Sequence, residues 1–350
     1  MDGATGEVKW AVEDHKREYF RCAAISPDGR FVASVELDNQ CWKLWDSASG
    51  ALHRAGARHD GTGECVCEVN DVGHRVVQDG CPVVTHSDEG IWSVTFSPCG
   101  QGFATGGFDG EVIVWDVQTG KVETRMTGVH PKGVLALCFS SCGQKLASGG
   151  WEGSICVWDT VAGALLFRMH GDYRSEDVRS LHFSPTDENH LLSAGDGGFA
   201  LWDVEKGEMM ERTEEGGVFA VFSPNGRTIA TASGHGSRDL HLVDSRTGAV
   251  RLKMVSHRCL VSCASFSDDG SKLASGSGDG TCKVWDSSTG ALLRTITVAT
   301  PVLCVEWGRD WVQDTLRGVA FAMGHHPRLG AGSRALELEV GVVRMILDRV

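Results

Sequence analysis

The sequence predicts an all-β fold in which one four-stranded sheet is repeated around a closed ring. Two observations support this prediction. A Trp-Asp pair returns along the chain at nearly constant intervals, and short runs rich in Val, Ile and Phe, separated by turn residues, precede each pair. A third is that no long segment with helical periodicity interrupts these runs. We therefore expect one domain over residues 1–350.

The Trp-Asp pair sets the register of the repeat. Its first residue, or the residue that replaces it in the fifth unit, is Trp45, Trp115, Trp158, Trp202, Val243 and Trp285. The intervals are 70, 43, 44, 41 and 42 residues, and a glycine stands five residues after each first member. A period of about 40 to 45 residues with this ending is typical of four-stranded propeller blades.

The local pattern within one unit also indicates short strands. Residues 94–120, "VTFSPCGQGFATGGFDGEVIVWDVQTG", alternate apolar runs with a Ser-Pro-x-Gly turn, an Asp-Gly turn and a Thr-Gly turn. A single such sheet cannot bury both of its faces, so neighbouring sheets must stack. Closing the stack into a ring protects the edges that an open array would expose.

With this period and these motifs, the chain resembles the WD-repeat family over nearly its whole length. The resemblance implies a seven-bladed β-propeller, in which residues 302–350 form a degenerate last blade. That blade would be closed by the N-terminal strand or by its own C-terminal strand. Residues 51–85 lack the Asp-Gly turn and the Trp strand, so they are a degenerate half-repeat or an insertion. If they are an eroded second blade, the ring has eight blades.

Four residue types recur in the same columns of five units, as His15, Ser34, Asp38 and Trp45; His86, Thr105, Asp109 and Trp115; His130, Ser148, Glu152 and Trp158; His170, Ser193, Asp196 and Trp202; and His257, Ser275, Asp279 and Trp285. In the family these side chains form structural tetrads, hydrogen-bonded chains that fasten each blade. Ser, His and Asp together also occur in hydrolases. A catalytic group is needed once, however, so repetition favours the structural role, and we predict neither catalysis nor a cofactor.

Two other motifs bear on binding chemistry. Cys65, Cys67 and Cys81 with three nearby histidines lack the paired Cys-x-x-Cys spacing of zinc sites, so we predict no metal. Asp244-Ser245-Arg246 weakly matches a motif of WD-repeat substrate receptors of cullin-type ubiquitin ligases, with Val243 in place of Trp. The ligase receptor is therefore an alternative function, and a zinc-binding or nucleic-acid-binding propeller is a weaker one.

The resemblance also places partner binding on one face, which is built from the loops before the first strands and the turns between the second and third strands. The residues that the register puts on this top face are Phe108, Trp151, Tyr173, Arg174, His235 and Arg238. Exposed aromatic side chains make good interface anchors, so Phe108 and Trp151 are the predicted centre. The alternative is that each aromatic side chain folds over its own blade.

The composition narrows the class of partner. A formal charge of −13 disfavours nucleic acid and favours basic proteins or peptides. The polar, acidic N-terminus "MDGATGEVKW" does not resemble a signal peptide, no apolar run is long enough to span a membrane, and the 13 cysteines are expected to be free. We therefore predict an intracellular, cytoplasmic or nuclear, non-catalytic scaffold or adaptor that binds proteins and no small-molecule substrate.

Overall fold

A computed structural model of the chain describes residues 11–12, 20–36, 42–56, 66–69, 75–77, 90–170, 177–195, 198–213, 217, 219–232, 238–255, 257–297, 302–308, 317–322 and 342–343. Within these ranges the regular structure consists of β-strands. None of the described segments forms a helix long and apolar enough to cross a membrane.

The strands are short and separated by tight turns. In chain order they are β1 (Ala11–Val12), β2 (Phe20–Ile25), β3 (Phe31–Glu36), β4 (Trp42–Asp46), β5 (Leu52–Gly56), β6 (Val66–Val69), β7 (Arg75–Val77), β8 (Ile91–Phe96), β9 (Gly102–Gly107), β10 (Val112–Asp116), β11 (Val122–Met126), β12 (Val134–Phe139), β13 (Lys145–Gly150), β14 (Ser154–Asp159) and β15 (Leu165–His170). They continue as β16 (Ser180–Phe183), β17 (His190–Gly195), β18 (Gly198–Asp203), β19 (Glu208–Thr213), β20 (Ala220–Phe222), β21 (Thr228–Ala232), β22 (Asp239–Asp244), β23 (Val250–Val255), β24 (Val261–Phe266), β25 (Lys272–Ser277), β26 (Thr281–Asp286), β27 (Leu292–Thr297), β28 (Val302–Gly308), β29 (Arg317–Ala322) and β30 (Val342–Val343).

Six antiparallel four-stranded sheets form the blades of a propeller. They are β2–β5, β8–β11, β12–β15, β16–β19, β20–β23 and β24–β27, here called the first to sixth blades. The first strands of successive blades contact one another, as β8 does with β2 and β12, so the first strand of each blade is the innermost. The fourth strand of each blade lies at the rim.

The prediction of seven or eight blades is wrong, since the described chain has six. The half-repeat does not form a blade, because β2 and β3 of the first blade contact β8 of the second blade directly. Of residues 51–85, β5 completes the first blade, and β6 and β7 form a separate two-stranded sheet that contacts β5.

The segment that follows the sixth blade joins the two ends of the ring. Within residues 302–322 the described strands β28 and β29 form a two-stranded sheet, and β28 contacts β24 on one side and β2 on the other. This sheet therefore stands between the sixth and first blades. Next to it, β30 contacts β29 and pairs with β1, with Ala11 opposite Val343 and Val12 opposite Val342.

The core lies between the faces of adjacent blades. Between the first and second blades, the ring of Trp42 lies edge-on to Phe103 with centroids 4.8 Å apart, and 5.3 Å from the ring of Trp115. All three side chains are buried. Burying one large apolar side chain stabilises a fold by about 1.5–3 kcal/mol, so each interface of this kind holds two blades together.

The aspartate of each Trp-Asp pair organises the turn that leads to the outermost strand. In the sixth blade, the carboxylate of Asp286 accepts hydrogen bonds from the hydroxyl and backbone N–H of Ser288 and Thr289, and these hold its pKa at about 2. The N–H of Gly290 donates to the carbonyl of Asp286 at 2.9 Å. This local bonding explains why aspartate and a glycine four residues later return in every blade.

One partly buried histidine is expected to make the stability of the ring depend on pH. His182, on β16, lies with its ring centroid 6.0 Å from that of Phe222 in the next blade, and burial lowers its pKa to about 4. Because the unfolded chain binds a proton near pH 6.5 and the folded chain does not, we expect stability to fall as the pH drops from 6.5 towards 4. Urea unfolding at several pH values measures this slope. The slope should be shallower in His182→Leu, and an unchanged slope would contradict the assignment.

Candidate functional site

The predicted tetrad of the third blade is a continuous hydrogen-bonded chain. Trp158 Nε1 donates to Ser148 Oγ at 2.8 Å, Ser148 Oγ lies 2.7 Å from His130 Nε2, and His130 Nδ1 lies 2.7 Å from Glu152 Oε1. Since the indole can only donate, the hydroxyl is left to donate to Nε2, and the Nδ1–H donates to the carboxylate. Every link joins one strand or turn of the blade to another.

The sixth blade repeats this chain with an aspartate. Trp285 Nε1 donates to Ser275 Oγ at 3.0 Å, and Ser275 Oγ lies 2.8 Å from His257 Nε2. The carboxylate of Asp279 lies 3.3 Å from His257 Nδ1 and also accepts the backbone N–H of Arg258 at 2.7 Å. Burial lowers the pKa of His257 although Asp279 raises it, so the ring stays neutral near pH 7.

Three further blades contain the Trp-to-hydroxyl link. Trp45 donates to Ser34, Trp115 to Thr105 and Trp202 to Ser193, each at 2.7–2.8 Å. Asp109 lies in the turn after β9, where its carboxylate accepts the backbone N–H of Glu111 at 3.0 Å. Four predicted members lie outside the described residues, namely His15, Asp38, His86 and Asp196.

The assignment of His170 to the fourth blade's tetrad is wrong. His170 ends β15, the outermost strand of the third blade, where it pairs with Ser154 and its side chain is exposed. The sequence between His170 and the fourth blade is longer than in the other units. As a result Val178, eight residues after His170, takes the place in the fourth blade that Val134 has in the third. The side chain of Val178 packs against Gly149 as Val134 packs against Gly106.

The fifth blade replaces the side-chain link by a bond to the backbone. Val243 stands in the Trp column and is buried. Thr231, which occupies the Ser/Thr column, donates its hydroxyl to the carbonyl of Phe219 at 2.8 Å instead. The buried hydroxyl is therefore satisfied without an indole. The repeat register puts Arg212 where the other units have the tetrad histidine, but Arg212 belongs to β19 of the fourth blade.

Phe108 and Trp151 lie on adjacent blades and contact a third aromatic side chain. The ring of Trp92 has its centroid 5.0 Å from that of Phe108, at an interplanar angle of 67°, and 5.2 Å from that of Trp151, at 56°. Trp92 is 9% exposed, whereas Phe108 and Trp151 are half-buried. We call these three side chains the aromatic patch.

Trp92 was missed by sequence reasoning, although it carries a signal. It is the second residue of the innermost strand of its blade, where β2, β12 and β24 carry Arg21, Leu135 and Ser262. An aromatic side chain in that column stands out only once the column is aligned. Trp92 contacts residues of two blades because the blades pack against each other. The alignment of residues within one blade gives no information on such contacts.

Backbone contacts fix the aromatic patch in place. The N–H of Phe108 donates to the carbonyl of Gly90 at 3.0 Å, and the N–H of Trp151 donates to that of Gly133 at 3.2 Å. Gly133 has a φ of +96°, and a Cβ there would lie 2.9 Å from the Cα of Phe108. The turn of the second blade is thus wedged against the loop that enters the third blade, which brings the two aromatic residues together.

One carboxylate oxygen in the third blade's tetrad has no donor among the described residues. Glu152 follows Trp151, and its Oε1 accepts hydrogen bonds from His130 and Ser154, while its Oε2 is buried with no hydrogen-bond partner among the described residues. Burial raises the pKa of Glu152, but these hydrogen bonds outweigh it and hold the pKa below its usual value. The group is therefore ionised at neutral pH.

The missing donor has a cause in the sequence. In the sixth blade the residue after the tetrad histidine is Arg258, whose N–H reaches the carboxylate of Asp279. In the third blade that residue is Pro131, which has no N–H. The carboxylate of Glu152 therefore keeps more of its negative charge uncompensated than that of Asp279.

The remaining predicted residues are spread more widely. Arg238 is exposed just before β22, and Tyr173, Arg174 and His235 lie outside the described residues. Arg246 lies in the turn after β22, where its N–H donates to Asp244 Oδ1 at 3.1 Å. No cluster of potential metal ligands occurs in the part of the chain that the structure describes. The cysteines and histidines considered for zinc lie outside it or in β6, where side chains are not described.

The ring of four-stranded blades, each carrying a Trp-to-hydroxyl link or its replacement, defines a repeat propeller of the WD type. The sequence profile described as "WD domain, G-beta repeat" matches residues 6–46, 80–116, 122–159, 163–203 and 249–286, which together exceed half of the chain. The chain belongs to the WD-repeat family. The matched ranges leave out residues 204–248, which contain the first three strands of the fifth blade, with Val243 on the third.

Individual relatives share only parts of the sequence. The chain is 32% identical to WD repeat-containing protein 1 of Bos taurus over 104 residues, 29% of this chain and 17% of that protein. It is 25% identical to the THO complex subunit 6 homolog of Danio rerio over 150 residues, 36% of this chain and 46% of that protein. With human Striatin-4 it shares 28% identity over 227 residues, 61% of this chain and 24% of that protein. The chain thus spans less than half the length of each of these relatives.

Proposed function

We propose that the protein is a non-catalytic scaffold that binds other proteins through the aromatic patch on the top face. The observation that carries this proposal is the packing of the half-buried Phe108 and Trp151, from two adjacent blades, against the buried ring of Trp92. Aromatic side chains held rigidly in a polar surround supply most of the energy at protein interfaces. The membership of the chain in a family of repeat propellers, one relative of which is named as a subunit of a complex, agrees with this role.

The recurrence of the tetrads supports the absence of catalysis. Ser148, His130 and Glu152 have the chemical types of a hydrolytic triad, yet the serine hydroxyl is fully buried and is bound to both Trp158 and His130. Ser275 in the sixth blade has the same surroundings. A nucleophile must reach its substrate, and neither hydroxyl is accessible. These groups serve the blades rather than a reaction.

Replacing Phe108 and Trp151 together by Ala should abolish most of the partner capture. The tagged variant and the wild-type protein are used to purify partners from lysate, and the recovered proteins are compared by mass spectrometry. Because both side chains are only half-buried, the melting temperature should fall by only a few degrees.

The control removes apolar surface elsewhere on the same blades. Leu165 and Leu166 on the outermost strand of the third blade are 41% and 42% exposed, and their double replacement by Ala should leave capture unchanged. Capture that survives loss of the aromatic patch, or that is lost equally in both variants, would refute the proposed site.

A further inference from the structure

We infer that Arg54 and the indole N–H of Trp42 form a binding site for a carboxylate group, where the rims of the first and second blades meet. Two buried hydrogen-bond donors on one face of the first blade, both without an acceptor among the described residues, carry this inference. We call Trp42, His53 and Arg54 the rim site. It shares no residue with the aromatic patch and does not depend on the proposed function.

Strand pairing places the two donors on the same face of the first blade. Trp42 lies opposite Gly56, and Arg54, two residues before Gly56, lies opposite Leu44, so both side chains point to the side on which Trp42 contacts the second blade. Both also approach one turn of the second blade. A Cβ built on Gly120 would lie 3.5 Å from Cη2 of Trp42 and 3.6 Å from Cδ of Arg54. The two side chains therefore line the same part of the interface.

A glycine explains why the indole reaches this place. Gly56 takes the position at which the second, third and fifth blades carry Met126, Met169 and Met254. A Cβ on residue 56 would overlap Nε1 of Trp42, so only glycine leaves room for the ring. The residues opposite the three methionines are Val112, Ile155 and Leu240. An apolar pair of those blades is thus replaced by an indole, which brings a polar N–H into the interface.

Neither donor is satisfied by the protein. Nε1 of Trp42 and Nε of Arg54 are both buried, and neither makes a hydrogen bond with a residue that the structure describes. In the second blade the residue that corresponds to Arg54 is Thr124, and its hydroxyl donates to the carbonyl of Thr160 in the next blade at 3.1 Å. Buried polar groups are nearly always hydrogen-bonded in folded proteins. Two unsatisfied donors on one face therefore indicate an acceptor that comes from another molecule.

The charge of the rim site favours an anion over a neutral acceptor. The side chain of Arg54 forms no ion pair within the described ranges. Burial, and next the charge of Arg54, lower the pKa of His53, so the imidazole is neutral near pH 7. Arg30 and Asp46, which also act on His53, carry opposite charges and offset each other. The guanidinium of Arg54 thus leaves one positive charge to be compensated.

A carboxylate matches the rim site in charge and in shape. A monoanion balances the single guanidinium, whereas a phosphate dianion would keep a charge uncompensated in half-buried surroundings. A guanidinium presents parallel N–H donors in one plane, which bind both oxygens of a carboxylate. Arg54 is half-buried and His53 is exposed, so the site can be reached from solvent.

The experiment titrates four probes into the full chain labelled with ¹⁵N in tryptophan and arginine. The probes are acetate, its neutral counterpart acetamide, inorganic phosphate and the acetylated peptide amide Gly-Glu-Gly. We expect acetate to shift the Nε–H signals of Trp42 and Arg54 with a Kd of about a millimolar, phosphate to bind more weakly and acetamide not to bind. Binding of the peptide as well would identify the ligand as an acidic side chain of a partner, and binding of acetate alone would identify a small free carboxylate.

Two matched variants test the assignment to Arg54. Arg54→Gln should lose at least about fivefold in acetate affinity, because it removes the charge and the paired donors. Arg30→Gln, which removes an exposed charge on the same blade, should bind acetate as the wild-type protein does. Should Arg54→Gln not fold, as judged by near-ultraviolet circular dichroism, the pKa of His53 decides. Saturating acetate should raise this pKa in the wild-type protein, because the bound negative charge offsets Arg54.

Several results would overturn the inference. They are equal binding of acetamide and acetate, tighter binding of phosphate than of acetate, an unchanged affinity in Arg54→Gln, and an unchanged pKa of His53 at saturating acetate. An equal loss in Arg30→Gln would also do so, since it would show attraction to general positive charge rather than to a site. The capture experiment with Phe108 and Trp151 is separate, so its failure would refute the proposed function and leave the rim site intact.

Discussion

Ser148→Ala is expected to lower the free energy of unfolding by about 2 to 4 kcal/mol, because one hydroxyl serves two buried partners. Its loss leaves the indole N–H of Trp158 and the Nε2 of His130 unpaired, and each unsatisfied buried group costs about 1–3 kcal/mol. Both partners are almost fully buried, so water cannot replace the hydroxyl without opening the blade. Urea unfolding followed by tryptophan fluorescence measures the difference.

The fifth blade provides the control for this prediction. Thr231 occupies the same column, but its hydroxyl serves only backbone carbonyls, so Thr231→Val, which keeps the shape, should cost about 1 kcal/mol. A cost for Ser148→Ala no larger than this would mean that the chain of hydrogen bonds contributes little. A double-mutant cycle of Ser148→Ala with Trp158→Phe should show a coupling of about 1 kcal/mol or more, since the two side chains share one bond.

The links within a blade could be predicted because antiparallel pairing fixes which residues share a face. In the third blade Trp158 lies opposite Leu146, and Ser148 is two residues further along the same strand, so both point to the same side of the sheet. The indole then reaches diagonally to the hydroxyl. The separation of ten residues between Ser148 and Trp158 encodes this geometry in the sequence.

Features that depend on contacts between blades could not be derived in this way. Trp92 joins Phe108 to Trp151 through packing between the second and third blades, which the register within one blade does not describe. Likewise, the effect of Pro131 on Glu152 appears only when the loop is compared with its counterpart around Arg258. The count of blades failed for a related reason: apolar runs after residue 302 resemble strands, but whether they complete a four-stranded sheet depends on which partners pair with them.

The difference between the residue type at a position and the path of the chain also separates His170 from Val243. His170 matches the residue type of its column, yet the extra residues after it leave it in the outermost strand of the preceding blade. Val243, by contrast, differs from the tryptophan of the other blades in residue type, so the change can be seen in the sequence. The hydrogen bond from Thr231 to the backbone replaces the missing link in that blade. A change of residue is visible in sequence, whereas a change of path is not.

Gly110→Ala is expected to destabilise the protein by more than about 3 kcal/mol and to disturb the aromatic patch. Gly110 has a φ of +77°, and a Cβ at this position would overlap the backbone carbonyl oxygen of His130. The substitution therefore combines the cost of a left-handed backbone, about 1–2 kcal/mol, with a clash against rigid backbone that costs at least as much again. Relief requires the turn of the second blade to move away from the loop of the third, and that turn carries Phe108.

Gly128→Ala separates the two contributions. Gly128 has a φ of +85°, but a Cβ there would meet nothing within 4 Å, so only the backbone cost of about 1–2 kcal/mol should appear. Urea unfolding of both variants measures the difference, and partner capture is compared under conditions where both remain folded. Gly110→Ala should weaken capture, and Gly128→Ala should not, because only the former displaces Phe108. Equal destabilisation by the two substitutions would show that the wedge between the second and third blades yields readily, and the aromatic patch would then lack the rigid support on which its role as an interface anchor depends.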